Sequence, residues 1–107
     1  MSEKHFKIIP ESQFILDARK WSKSIPSIWD EIQGVADIIT ETGEIPDEYD
    51  PHGLSNTKLN YVGYDEFHLL DDNKISILVI YKVVKNKKIF RFIRLGTHGE
   101  LFHGYLK

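Results

Sequence analysis

Histidine is the side chain whose proton moves near neutral pH, and this chain has five: His5, His52, His68, His98 and His103. No pair stands at HxxxH or HExxH spacing, and there is no cysteine. No metal, other cofactor or disulfide is therefore expected. His5 and His103 lie near the ends and are expected to be solvated. His52 falls in a Pro- and Gly-bearing stretch, where packing does not require a histidine. His68 closes an extended run, and His98 follows another, just past a glycine. Two histidines beside basic residues suit phosphodiester cleavage, in which one deprotonates a nucleophile and the other protonates the leaving oxygen. Arg91 and Arg94 could hold the phosphate and its developing charge. On the residues alone, the plainer reading of exposed polar side chains at strand ends carries more weight.

Such groups need a frame. Residues 6–9 read as a short strand ended by Pro10. From Glu11 a helical stripe begins, with Phe14, Ala18, Trp21 and Ile25 at steps of four, three and four. Pro10 and Glu11 suit its first turn, by fixed φ and by the helix dipole. Pro26 breaks this helix and opens another, whose stripe is Ile28, Ile32, Val35 and Ile39, flanked by Trp29 and Ala36; Gly43 is the expected C-cap. Residues 44–60 carry Pro46, Pro51, Gly53, Ser55 and Asn56 and predict a long loop with an acidic beginning, Glu44, Asp47, Glu48 and Asp50. Loops of this length are often functional.

The remainder predicts a meander: a strand over 61–70, a turn at 71–74, a β-branched central strand over 75–84, a tight turn at 85–87, and a last strand over 89–95 ended by Gly96. Asn86 is the turn residue expected to take φ > 0. The predicted fold is α+β, a strand and a two-helix hairpin packed on an antiparallel sheet of about four strands, the first strand joining at the edge. The core should set Trp21, Trp29, Ile32 and Val35 against Val79, Tyr81 and Phe92. The ends of the first and third meander strands would approach, bringing His68 and His98 together. Arg91 and Arg94 have opposite parity, so a regular strand sends only one of them to the catalytic face.

A length of 107 residues leaves room for one core, and a single domain over 1–107 is expected. Hydrophobic residues at 41% and charged residues at 28% are ordinary globular usage. No apolar run approaches the roughly 20 residues of a membrane helix, and the N-terminus lacks the apolar stretch of a signal peptide. A cytoplasmic protein without a membrane partner is expected. Net charge is only −2, but it is unevenly spread. Residues 1–73 hold six Lys and Arg against fifteen Asp and Glu, whereas residues 74–107 hold eight against Glu100 alone. Such asymmetry hints at a polyanion-binding face, and equally at two halves that neutralise each other in the fold.

Gly63-Tyr64-Asp65-Glu66-Phe67-His68 resembles the GYR-x-x-H strand of the YafQ family of bacterial toxins, and Ile80-Tyr81-Lys82 resembles their IYK strand. The run from Phe90 through Arg94 to Gly96-Thr97-His98, followed by Leu101-Phe102, resembles their LRF-x-R-x-GTH-x-x-LF ending. His52-Gly53-Leu54 resembles their H-P-L loop; Ser12-Gln13-Phe14 and Asp17 fit more loosely. The likeness covers almost the whole chain, and its specific part is the Gly-Thr-His ending with a nearby Arg. It implies a RelE-like fold and a ribosome-dependent mRNA endonuclease silenced by a cognate antitoxin that wraps it. It implies His98 as the leading acid/base, His68 and His52 as further catalytic histidines, Arg94 at the phosphate and Phe102 near the cut RNA. The family's P-D-W element is replaced by 69–74, so the catalytic aspartate is left open between Asp71 and Asp72, and no Trp fills that role. The loop from His52 to Gly63 is longer than usual in the family, and the chain is less basic than many members.

The expected reaction is attack by a ribose 2′-OH on the adjacent phosphate, leaving a cyclic phosphate. A degenerate relative that binds RNA or an antitoxin without cutting is the alternative. Lys82, Lys85, Lys87, Lys88, Arg91 and Arg94 form a basic ribbon without an acid; Arg94 is expected at the cleaved phosphate, and the others are expected to bind the RNA backbone, the ribosome or the antitoxin.

Overall fold

The structure, a computed structural model, describes residues 6–54, 63–71 and 74–102, and of Phe102 the backbone only. Asp72, His5, His103, the Phe102 side chain, the middle of the 71–74 turn and the start of the 61–70 strand lie outside the described residues. The elements are β1 (Lys7–Pro10), α1 (Ser12–Ser22), α2 (Ile28–Thr42), β2 (His52–Leu54), β3 (Tyr64–Asp71), β4 (Ser76–Val84), β5 (Ile89–Gly96) and α3 (His98–Phe102). They form a sheet of order β1-β5-β4-β3-β2. β1 runs parallel to β5 at one edge, and the other pairings are antiparallel.

The α+β class and the edge position of β1 agree with expectation. The strand count and one loop do not: within the stretch expected to be a loop, Asp47–Tyr49 makes a single 3-10 turn and β2 pairs with β3. A three-residue strand carries no readable period, and only its partner defines it.

Both helices form where the stripes predict, and both pack on the sheet. Phe14, Ala18, Ile28, Val35 and Ile39 are sealed against Phe67, Val79 and Phe92. Three aromatic rings carry the contact, with centroids 5.3 Å apart for Phe14–Phe92 and 5.8 Å for Phe67–Phe92. Trp29 is not part of this core. It is 41% exposed, because it stands one residue on from Ile28, and adjacent residues cannot share a helix face. Helix α2 stops at Gly43, whose φ of 76° is left-handed. A Cβ there would lie 2.6 Å from the Phe6 ring, so glycine serves both the conformation and the close approach.

Across the sheet, Leu78, Ile80 and Leu101 are buried together, so α3 covers part of the face opposite α1 and α2. Two irregularities shape this face. In β3 the ladder passes from His68↔Leu78 to Leu70↔Ile77, leaving Leu69 as an extra residue. In β5 it passes from Ile80↔Arg94 to Tyr81↔Phe92, leaving Ile93 extra. Each bulge reverses the parity beyond it. The hairpin turn differs from expectation too. Lys85–Lys87 form a 3-10 turn, and the left-handed residue is Lys88, φ 56°, rather than Asn86. With Val84 paired to Ile89 the loop has four residues, a length most often built around a single tight turn.

Candidate active site

Strand β3 turns Phe67 and Leu69 into the core. Glu66 and His68 therefore face the other way. His52, expected in a loop, is on β2 directly opposite Glu66. Its Nε2 lies 2.7 Å from Glu66 Oε2, and its Nδ1 lies 2.9 Å from the Asp50 carbonyl oxygen. A carbonyl can only accept, so Nδ1 carries a proton; Nε2 shares a second one with the Glu66 carboxyl, and the doubly protonated ring is the form these contacts favour. Partial burial alone would lower the His52 pKa, but the hydrogen bond to the Asp50 carbonyl, the charges of Glu66 and Asp50 and the bond to Glu66 outweigh it, and the pKa is raised. Glu66 needs this partner: its side chain is only 7% exposed, and a buried carboxylate without a counter-charge is costly. Among the described residues nothing hydrogen-bonds to its second oxygen.

His68 stands beside this pair, its ring centroid 6.2 Å from that of His52. Its Nε2 is 3.7 Å from Asp50 Oδ2, and its Nδ1 is 3.5 Å from Asp71 Oδ2. His68 does not end its strand, since β3 continues to Asp71. The two are three positions apart, and a regular strand would put them on opposite faces; the bulge at Leu69 brings them to one. Asp71 thus stands beside a histidine, and Asp72 lies outside the described residues. Asp50 has a left-handed φ of 51°, from which it offers its carbonyl to His52 and its carboxylate to His68.

The other side of the site is β5 and α3. His68, Leu78 and Gly96 form one cross-strand row, which places Gly96 roughly 10 Å from His68, two strand spacings away. His98 follows two residues later as the first residue of α3. The start of α3, where His98 stands, is thus on the same side of the sheet as His68, with the buried Leu78–Ile80–Leu101 cluster between. The bulge at Ile93 also corrects the parity expectation. Lys82↔Arg91 and Ile80↔Arg94 are partners of residues two apart on β4, so both arginines belong to this face. Neither guanidinium is idle. Arg94 Nε donates to Asp17 Oδ2 at 2.7 Å and Nη2 to Oδ1 at 3.3 Å. Arg91 pairs with Glu11 at 2.6 Å. Asp17 also accepts the Leu95 backbone N–H at 3.0 Å, capping the edge of β5 where β1 has ended. Lys85 and Lys87 sit in the β4–β5 turn, five or more residues past Ile80, which is roughly 16 Å along the strand. They and Lys88 lie off the histidine cluster.

A family model described as the bacterial toxin of a type II toxin–antitoxin system, YafQ, matches residues 6–103. The chain belongs to the YafQ family. Solved structures similar to this toxin include YafQ from E. coli strain BL21(DE3), 26% identical with a TM-score of 0.66, over 91% of this chain and 98% of that one. An E. coli DinJ–YafQ complex matches with 28% identity and a TM-score of 0.64, again over 91% and 98%. The archaeal RelE–RelB complex from Pyrococcus horikoshii OT3 matches with 18% identity and a TM-score of 0.61, over 89% and 97%, a likeness of fold alone. No curated protein sequence matches the chain significantly. Within this YafQ-family toxin, Glu66 and Asp50 are the site residues that sequence reasoning passed over. The Glu66-Phe67-His68 spacing does place two polar side chains on one strand face, a signal available to a period of two. Nothing in the sequence announces that Asp50 reaches back to both histidines.

Proposed function

We propose that this toxin is a metal-independent endoribonuclease that cuts mRNA on the ribosome in the cytoplasm and is silenced by a cognate antitoxin. The observation that carries the reading is the shared sheet face on which His52, Glu66 and His68 stand on one side and Arg94 and His98 on the other. A phosphodiester held between β3 and the start of α3 has a histidine on either flank. One of His68 and His98 takes the proton from the ribose 2′-OH, whose oxygen bonds to phosphorus. The P–O5′ bond breaks, and the other histidine protonates the departing O5′. His52, held as a cation by Glu66, and Arg94, held by Asp17, face the charge that grows on the phosphoryl oxygens. Asp71, 3.5 Å from His68 Nδ1 and not hydrogen-bonded to it, sets a negative charge beside that histidine, and the resemblance assigns Phe102, and the basic ribbon Arg91, to RNA contact. The antitoxin reading is supported by the DinJ complex of the similar E. coli YafQ. The double engagement of Arg94 and Arg91 by acids favours a second reading, a module that binds RNA or antitoxin without cutting.

Toxicity on expression and cleavage of mRNA on translating ribosomes separate the two. The wild type is expected to be toxic and to cut, with His98→Ala and His68→Ala each slower by about 10²–10⁴-fold. A wild type that binds ribosomes and leaves the message intact would establish the binding module instead.

A further inference from the structure

We propose that Glu100 is a positioning residue, the clamp that fixes α3 to α1 and so sets where His98 stands; this rests on the nuclease reading above. Helix α3 has five residues, far too few to hold itself by its own backbone bonds. Two side chains anchor it. Leu101 is completely buried against Leu78 and Ile80. Glu100 reaches the other way: its Oε1 accepts the Trp21 indole N–H at 2.9 Å, and its Oε2 pairs with the Lys20 ammonium. Its own backbone N–H donates to Thr97 Oγ at 3.1 Å, and the Leu101 N–H to the Thr97 carbonyl at 3.0 Å. A Cβ on residue 96 would run into the Glu100 carboxylate. β5 therefore ends in the residue that lets this side chain pass towards α1.

Charge makes the same point. Glu100 is the single acid of residues 74–107, among eight Lys and Arg. On a surface meant for a polyanion, an outward carboxylate would repel the ligand. This one is turned onto α1 and neutralised by Lys20. Burial alone would raise its pKa, but the hydrogen bonds of Lys20 and Trp21, the Lys20 charge and the Thr97 backbone hold it below the ordinary carboxylate value. Asp17, one turn earlier on α1, holds Arg94 and the Leu95 N–H. A single helix thus registers both C-terminal components of the site through Asp17 and through the Lys20–Trp21 pair.

The test compares wild type, Glu100→Ala, Glu100→Gln and His98→Ala in single-turnover mRNA cleavage on ribosomes. Ribosome affinity and thermal midpoint are measured alongside, and α3 amide exchange is followed by NMR. Glu100→Ala is expected to cut about 10–100-fold more slowly, the cost of a catalytic group displaced by about an ångström, with ribosome affinity unchanged. Glu100→Gln keeps an oxygen for Trp21 and is expected to recover most of the rate. Glu100→Ala cutting at the wild-type rate while His98→Ala does not overturns the clamp, as does a loss explained wholly by weaker ribosome binding. Should the wild type itself fail to cut, the nuclease reading falls. The amide exchange then decides alone: lost protection of α3 in Glu100→Ala supports the clamp, and unchanged protection refutes it.

Discussion

At the scale of the residue, protonation divides the histidines into different kinds. His52 sets both nitrogens against acceptors and has a raised pKa, so its contacts favour the cation and suit it to stabilising charge. In the proposed reaction His68 and His98 are left for the proton transfers. The pair has a pH signature whose sign can be worked out. The folded pKa of His52 is raised above its ordinary value of 6.5. Its stabilisation is therefore complete below that value and lost as pH rises through the folded pKa. Unfolding midpoints measured from pH 5 to 9 should fall towards the alkaline end for the wild type. Glu66→Gln should flatten that fall and bring the His52 NMR titration back towards 6.5. An unchanged titration would mean that Glu66 does not hold the proton in place.

At the scale of the element, α1 and β5 are joined by an ion pair almost wholly inside the protein: the Arg94 side chain is 18% exposed and that of Asp17 8%. Removing one partner strands the other, at a cost on the order of 3–5 kcal/mol. Arg94→Ala should therefore lower stability and also slow cleavage, by a few kcal/mol of lost charge stabilisation. Asp17→Asn combined with Arg94→Ala is expected to recover much of the stability and none of the cleavage. If the double variant recovers both, Arg94 is structural only. Elements of this kind were partly legible. The stripes of both helices, the Gly43 cap and the β-branched run of β4 follow from period and residue type alone. β2 did not, because three residues have no period. Trp29 was misassigned because hydrophobicity was weighed without its angular position beside Ile28. The faces of Asp71 and Arg94 were hidden by bulges, which depend on the partner strand. Of the site, the histidines and arginines were visible as types, while the acids that hold them, Glu66, Asp50, Asp17 and Glu11, became visible only as contacts.

At the scale of the molecule, the acidic and basic halves do neutralise each other, but selectively. Glu11 and Asp17 from the first half take Arg91 and Arg94, and Lys20 takes Glu100. Lys85 and Lys87 stand apart in an exposed turn at the far end of β4 and β5. The expected division is that the arginines and Glu100 tune the site while the turn lysines contribute long-range attraction. Neutralising Lys85, Lys87 and Lys88 together should weaken ribosome or RNA binding and reduce its dependence on log salt by about 2–3 units of slope. The cleavage rate of the bound complex should be unaffected. A variant that keeps the wild-type salt slope would show that these lysines do not meet phosphate.

The bulges at Leu69 and Ile93 have a consequence for how such a chain can diverge. Each is a single additional residue, and each decides whether the charged side chain beyond it, Asp71 or Arg94, shares a face with its neighbours. That placement is recorded in the length of the strand more than in the identity of any one residue. Substitution can wander at these two positions, so long as the replacements suit the same environment. Loss of one residue cannot be absorbed in the same way, because every side chain beyond it changes sides. Among related chains, β3 and β5 should then be read by counting residues before comparing letters.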